Sequence, residues 1–491
     1  MAKMNHIKAV VAGMAALFCQ TGLYAQFAPF AYTYGGSGND MGYDLVETAD
    51  SGYVCAGQSG SYTFGSSDAY LFKTDINGQL VWRRNYGGFH TDGARAVTRG
   101  HGGGFLLAGY TNSFGNGGYD YYVIRTDETG DTLWTRTYGG ADWDFAYSVC
   151  ATADGNYLVA GETFSQGQGG SDIWVLKIND NGDTLHTYLW GAAGNQTCRK
   201  VREYAPGRAV VAGNGAFPFS DGQDAVLLGI DHVAQNYLFQ TVVPYVGDQE
   251  ITAVDRSVTG GFATFGIHTE TGHSKDLFIQ YYQADGTLLQ NIEIPSANEA
   301  FDVEIHAGIN YGNQGYYVAG SSRTVGGGDY EALFFQLHPD PYVILGRVIT
   351  APRYNGLWSI LRAVDKGIVM GGISEGFGPG PSGALVWKLD SLCTAGPYPV
   401  PLLGVEALET LPGFSVYPNP FTESFLLSVP ESVQLSEICI RDMGGRIIYR
   451  QRVQGTGQVT VSPGMVAQGI YTAECVLASG KRYYTKLVKA P

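Results

Sequence analysis

Seven oxygen-bearing side chains recur along the chain: Asp40, Asp92, Asp144, Gln196, Asp248, Asp302 and Asn355. The first five step by 52 residues and the last two need a small shift. If these residues gathered about one axis, their oxygens would suit Ca²⁺ or Mg²⁺, which take oxygen ligands. Asp40, Asp92, Asp144, Gln196 and Asp248 are therefore candidate metal ligands. The simpler reading, which takes precedence, is that each caps the turn into its strand by accepting backbone N–H groups. A second series, Asp68, Asp120, Asp172, Asp224 and Asp276, also steps by 52 residues and reads as turn-forming.

Other reactive patterns are missing. The chain has no HExxH, no GxSxG and no phosphate-binding loop. Its Gly-rich runs, such as "GHGGGF" at 100–105, fall at repeated turns, whereas a phosphate cradle would open a helix. His90 with His101, or His268 with His273, could in principle hold a metal, but the nine His share no repeat position and read as loop residues. No catalytic residue is assigned. The net charge of −15 argues against nucleic acid, whose binding needs clustered Lys and Arg. The charge is uneven: residues 414–491 hold eight basic and five acidic side chains, a balance of +3 that leaves −18 for the rest.

The elements that must position any site come from a repeat. A small-residue pair ends at Gly57, Gly109, Gly161, Gly213, Gly266, Gly320 and Gly372, with steps of 52, 52, 52, 53, 54 and 52 residues. One unit reads as four strands, "GYDLVETA", "SGYVCAGQS", "DAYLFKTD" and "QLVWRRNYG", separated by "DSG", "GSS" and "DINGQ" turns. Four-stranded units at this period predict propeller blades. Residues 27–34 align with a fourth strand that has no preceding unit. The seventh unit has three strands, ending in "GALVWKLD" at 383–390. Pairing the spare strand with the incomplete unit closes a ring and leaves no open edge.

The ends of the chain read differently. Residues 1–25 form a signal peptide with Lys3, Lys8, an apolar run at 9–19 and a "LYA" cleavage pattern, so cleavage is expected after Ala25. Six Cys then remain: Cys55, Cys150, Cys198, Cys393, Cys439 and Cys475. None forms a CxxC pair, and Cys55 and Cys150 read as small core residues. Residues 394–413 are a proline-rich linker, and residues 414–491 carry short alternating strands expected to form a small Ig-like β-sandwich. The expected fold class is all-β: a seven-bladed β-propeller over 26–393, its N-terminal strand closing the last blade, followed by that sandwich.

Two resemblances add to this reading. "ADGNYLVAG" at 153–161, "SDIWVLKIND" at 171–180 and "GQLVWRRNYGG" at 78–88 resemble a family of bacterial propeller repeats found in secreted and surface proteins. The tail resembles the type A C-terminal sorting domain of the type IX secretion system. Tyr417, Pro418, Asn419, Pro420 and Phe421 match its opening motif. Asp442, Gly444 and Arg446 match its D-x-x-G-R turn, with Gly445 as an extra residue. Gly469 and Tyr471 match G-x-Y, and Lys486 and Lys489 match its basic end. The resemblance implies passage across the outer membrane of a Gram-negative bacterium, removal of the tail by sortase-like machinery, and attachment to surface lipopolysaccharide or release.

The expected function is that of an exported, cell-surface or secreted, non-catalytic propeller whose partner is an extracellular glycan, peptide or protein. The alternative is an enzyme acting on extracellular polysaccharide or peptide at the channel mouth. An enzyme would break the repeat with clustered polar residues, for which "HTETGHSKD" at 268–276 is the densest stretch. No cofactor is expected apart from Ca²⁺ at the Asp series.

Overall fold

The repeat unit's apolar runs are each about seven residues long and rich in Val, Leu, Ile, Phe and Tyr, which favours strands buried on both faces. A computed structural model of the protein describes residues 29–393 and 415–489, apart from 64, 218–221, 244–246, 258–259, 270–274, 295–300, 312–314, 325–328, 338–342, 350–352, 378–379, 392, 419–420, 431–432, 442–446, 465, 467–468 and 479–481. The expected signal peptide with Ala25, and the linker at 394–413, lie outside the described residues. All regular elements among the described residues are β-strands.

The first full unit is an antiparallel sheet of β2 (Asp40–Glu47), β3 (Tyr53–Ser59), β4 (Asp68–Thr74) and β5 (Leu80–Tyr86), in that order. Its two middle strands are almost wholly buried, whereas β5 alternates between half-buried and exposed positions. Five further four-stranded sheets of the same order begin at β6 (Asp92–Arg99), β10 (Asp144–Ala151), β14 (Gln196–Ala205), β18 (Asp248–Arg256) and β22 (Phe301–Asn310). The last repeat supplies β26 (Asn355–Arg362), β27 (Ile368–Ser374) and β28 (Gly383–Leu389). Its fourth strand is β1 (Phe30–Tyr34), antiparallel to β28 with Phe30 opposite Lys388 and Tyr34 opposite Ala384. Each sheet packs on the next, and β2 packs on β26, β27 and β28, so the succession returns to its start. This is a propeller of four-stranded sheets.

Three kinds of contact join neighbouring sheets. The first is apolar: Phe30 and Tyr34 of β1 and Val386 of β28 share one buried cluster with Leu45, Tyr53 and Phe72 of the first full sheet. Burying a side chain of this size contributes about 1.5–3 kcal/mol. The second is a tyrosine latch, which explains the recurrent "YGG". The hydroxyls of Tyr34, Tyr86 and Tyr138 donate to the carbonyls of Gly78, Gly130 and Gly182 in the next sheet, at 2.6, 2.6 and 2.5 Å. Those glycines occupy the turn before a fourth strand at φ near +80°, a conformation that favours glycine. The third is a backbone bond from the residue that opens a first strand to the preceding sheet, made at five of them: Asp40 to Ser382, Asp92 to Ser67, Asp144 to Tyr119, Gln196 to Ser171 and Asn355 to Tyr330, at 2.6–3.2 Å. Strand β1 makes the same latch as its counterparts, so it is a fourth strand in its chemistry as well as its pairing.

The tail has two sheets. One contains β29 (Ser415–Tyr417), β30 (Phe425–Ser428) and β33 (Gln458–Val461). The other has the order β32 (Ile447–Gly455), β31 (Leu435–Arg441), β34 (Gly469–Leu477), β35 (Arg482–Lys489). Phe425 and Leu427 from the first sheet meet Ile438, Ile440, Ala473 and Leu487 from the second in one core.

Candidate functional site

The first acidic series does not gather into one cluster. Asp40, Asp92, Asp144 and Gln196 each open a different sheet and are fully buried. Their side chains cap the loop arriving from the preceding sheet. Asp40 accepts the N–H of Gly36 at 2.7 Å, Asp92 that of Gly88 at 2.8 Å, and Asp144 that of Gly140 at 2.9 Å. Gln196 Oε1 accepts the N–H of Ala192 at 2.8 Å. Hydroxyls complete the carboxylates: Ser59 and Ser61 bond Asp40, Thr111 and Ser113 bond Asp92, and Ser165 bonds Asp144. Asn355 accepts from Ser374 at 2.6 Å. Asp248 is exposed and accepts the N–H of Gln223 at 2.9 Å. The side chain of Asp302 lies outside the described residues. Among the described residues no three His, Cys, Asp or Glu side chains form a group that could hold a metal ion.

The second series lies beside the first. A Cβ on Gly139 would meet Asp120 Oδ1 at 1.9 Å and Asp144 Oδ2 at 2.7 Å, and one on Gly87 would stand between Asp68 and Asp92 in the same way. The first glycine of "YGG" is thus required by two carboxylates from adjacent sheets. Burial, and then Asp144 nearby, push the Asp120 carboxyl above its usual range, against a lowering bond from the Asn116 N–H. The repeat's Lys and Asp are also accounted for within the sheets: Lys73 pairs with Asp50, Lys177 with Asp154 and Lys388 with Asp365, at 2.5–2.6 Å.

The histidines read as loop residues are not all in loops, since His268 lies within the strand Phe262–Thr269. His90 is exposed, His101 bonds the Asn156 carbonyl through Nε2 at 3.0 Å, and His268 is buried, while His273 lies outside the described residues. The six cysteines are buried free thiols, and burial pushes the Cys55 thiol up.

The residues that converge are others. Every first strand holds one residue too many for its partner, a β-bulge. The extra residues are Tyr43, Arg95, Tyr147, Arg199, Thr252, His306 and Trp358. All seven line one cavity of about 570 Å³. Lys200, Glu250, Lys275 and Glu304 join them there. The opposite strand explains why the bulge is possible. Gly57, Gly109, Gly161, Gly213, Gly266, Gly320 and Gly372 sit where an added Cβ would meet a first-strand carbonyl at 1.8–2.1 Å. These are the glycines that set the period. Each stands fourteen residues after a bulged residue, so the cavity ring was marked in the sequence by spacing. It was missed because the residue types at those positions do not repeat.

The cavity is rich in cations and rings. The Arg95 guanidinium lies 4.0 Å from the Tyr43 ring centre and 5.4 Å from that of Tyr110, and its buried Nε has no acceptor. Lys275 pairs with Glu304 at 2.5 Å. His306 stacks on Trp358 at 4.1 Å, and burial pushes its pKa down to about 4, with Glu304 opposing the shift. It is neutral near pH 7. A second cavity of about 250 Å³ shares Arg199 and Glu250 with the first and is otherwise walled by Asn195, Gln196, Asn214 and Gln223 among other polar groups.

Comparison with known proteins gives a definite result only for the tail. Residues 415–490 match the family described as "Secretion system C-terminal sorting domain". No curated protein matches the chain by sequence. Among solved structures, the WD40 domain of Neurospora crassa Pan2 is 11% identical, covering 72% of this chain and 89% of that one, at a TM-score of 0.41. BamB from Moraxella catarrhalis is 11% identical over 74% and 99%, at 0.39. Sqt1 from Chaetomium thermophilum is 11% identical over 74% and 99%, at 0.40. The chain is a propeller protein carrying a type IX secretion sorting tail, a tail that directs it to that machinery for secretion or surface display.

Within that tail Phe421 is buried, packs on Phe425 at 5.1 Å and bridges to Lys489. Tyr471 is in the same core, whereas Tyr417 is exposed. Pro418 follows Tyr417, Gly469 opens β34, and Lys486 lies opposite Thr472. Asn419, Pro420, Asp442, Gly444, Gly445 and Arg446 lie outside the described residues.

The neutral His306 makes a pH signature. Its folded pKa lies below that of the unfolded chain, so the unfolded state binds the proton more readily between about pH 6.5 and 4. Its contribution to stability is whole above pH 6.5 and is lost as pH falls through that window. Melting temperatures of the parent and of His306→Gln, measured from pH 7 to pH 4, should converge as the pH falls. Parallel curves would show that His306 does not titrate in this way.

Proposed function

We propose that residues 26–393 are a seven-bladed propeller that binds an extracellular ligand in its central cavity without transforming it, delivered by a signal peptide at 1–25 and by an Ig-like sorting domain at 414–491. The observation that carries this reading is the ring of seven bulged side chains. Where the rest of the unit repeats, the ring differs from sheet to sheet: two Tyr, two Arg, Thr, His and Trp. Repetition serves the scaffold, and variation directed at one shared cavity serves recognition. The cavity falls within the size range of small-ligand sites.

An enzymatic reading finds one pair of groups in its favour, the neutral His306 and Glu304, whose Oε2 lies 3.7 Å from the imidazole Nε2. Such a pair could move a proton, but Lys275 already holds Glu304. We therefore favour binding. The test is an array of oligosaccharides and peptides probed with the exported protein and with Thr252→Trp, which places a large ring in the cavity. Ligands retained by the first and lost by the second, recovered chemically unchanged, are expected. Ligands bound equally by both would place binding elsewhere, and cleaved products would favour the enzyme.

The sorting domain's work ends at export. Its removal by a sortase-like peptidase, with release or attachment to surface lipopolysaccharide, should leave a new C-terminus in the linker at 394–413, as interdomain linkers are readily cut. Mass spectrometry of the external protein should find that terminus. External protein still ending in "KLVKAP" would contradict removal.

A further inference from the structure

The reading of the cavity as a binding site leaves the ligand class open, and the charge of the cavity narrows it. The chain as a whole carries −15, yet four cations face the cavity against two carboxylates. Lys275 and Glu304 satisfy one another. That leaves Arg95, Arg199 and Lys200 facing Glu250, and among the described residues none of the three cations has an ion-pair partner. The buried Nε of Arg95 lacks any acceptor at all. A guanidinium held against two tyrosine rings with its buried Nε–H unpartnered still has a donor to offer an anion, and Arg binds carboxylates in a bidentate manner.

The neighbouring cavity chooses between kinds of anion. It adjoins the first at Arg199 and Glu250, and its walls are amides, hydroxyls and carboxylates, among them Asn195, Asn214, Gln223 and Glu162. Such a wall offers both hydrogen-bond donors and acceptors. It suits a ring bearing several hydroxyl groups better than a peptide side chain. We propose that the ligand is an acidic saccharide, with the carboxylate of one sugar held by Arg95, Arg199 and Lys200 and the adjoining sugar in the amide-walled cavity. This assignment rests on the cavity being the binding site.

The test is calorimetric titration of the exported protein with three probes: digalacturonate, its dimethyl ester and the dipeptide Asp-Asp. Digalacturonate should bind at least about tenfold more tightly than the ester, with affinity falling as salt rises. Arg95→Lys and Arg199→Gln should each weaken it by about tenfold or more. Arg199 is exposed and makes no ion pair, so its replacement should fold even if the Arg95 variant does not. Equal binding of digalacturonate and ester, both abolished by Thr252→Trp, would overturn the acidic-sugar assignment and leave the cavity as the binding site. Digalacturonate binding untouched by Thr252→Trp and by both Arg variants would overturn the assignment and the cavity reading together. Binding of Asp-Asp in place of digalacturonate would move the ligand to acidic peptides and overturn the proposal, as would binding of none of the three.

Discussion

Seven glycines facing seven carbonyls are the constraint on which the inner architecture depends. In each sheet the second strand presents a glycine where a side chain would strike the first strand's backbone at about 2 Å. Without a Cβ the backbones close up there, and the first strand can carry an extra residue. A bulge re-aims one side chain and increases local twist. Repeated around the propeller, it turns seven side chains out of the sheets and into one shared cavity. The strands themselves keep their alternation, so the apolar clusters between sheets are undisturbed. Scaffold and site are separated at single-residue resolution.

The junctions between sheets hold this arrangement in register. The hydroxyls of Tyr34, Tyr86 and Tyr138 latch outer strands to the turn of the next sheet, and Asp40, Asp92, Asp144 and Gln196 cap the loops that arrive at their first strands. Each such bond contributes about 1 kcal/mol net. Repetition makes the sum large, and β1 extends the pattern across the chain's ends. The carboxylates at these junctions sit in pairs around a glycine with no room for a side chain. Around Gly87 and Gly139 that setting gives the spacing of the carboxylates within the chain a structural reason.

Much of the scaffold was legible in the sequence. The period, the four-strand unit and the spare fourth strand at the N-terminus follow from apolar runs, "NG" turns and the recurring "YGG". The tail was legible because its motifs are short and ordered, from Tyr417 to Lys489. The cavity was not read, for a physical reason. Repetition reveals what a scaffold needs in every unit, such as Asp92 or Gly109, and hides what differs. Arg95, Thr252 and His306 share a place but no chemistry, so they looked like noise in the repeat. Their constant distance from the period-setting glycine was the available signal, and only the β-bulge gives that distance a meaning. Of the two side-chain series that did repeat, Asp40, Asp92 and Asp144 and their neighbours Asp68, Asp120 and Asp172 lie at the junctions between sheets.

The most direct measurement of this account is the melting temperature of Gly161→Ala and Gly109→Ala. Alanine is otherwise well tolerated in strands of this kind, and neither glycine has a positive φ, so the only penalty is the collision with the Phe145 or Gly93 carbonyl. If the bulges depend on these glycines, one added methyl group should cost about 1–3 kcal/mol or more and lower the melting temperature clearly. An unchanged melt in both variants would contradict the claim that glycine opposite a bulge sets the inner architecture.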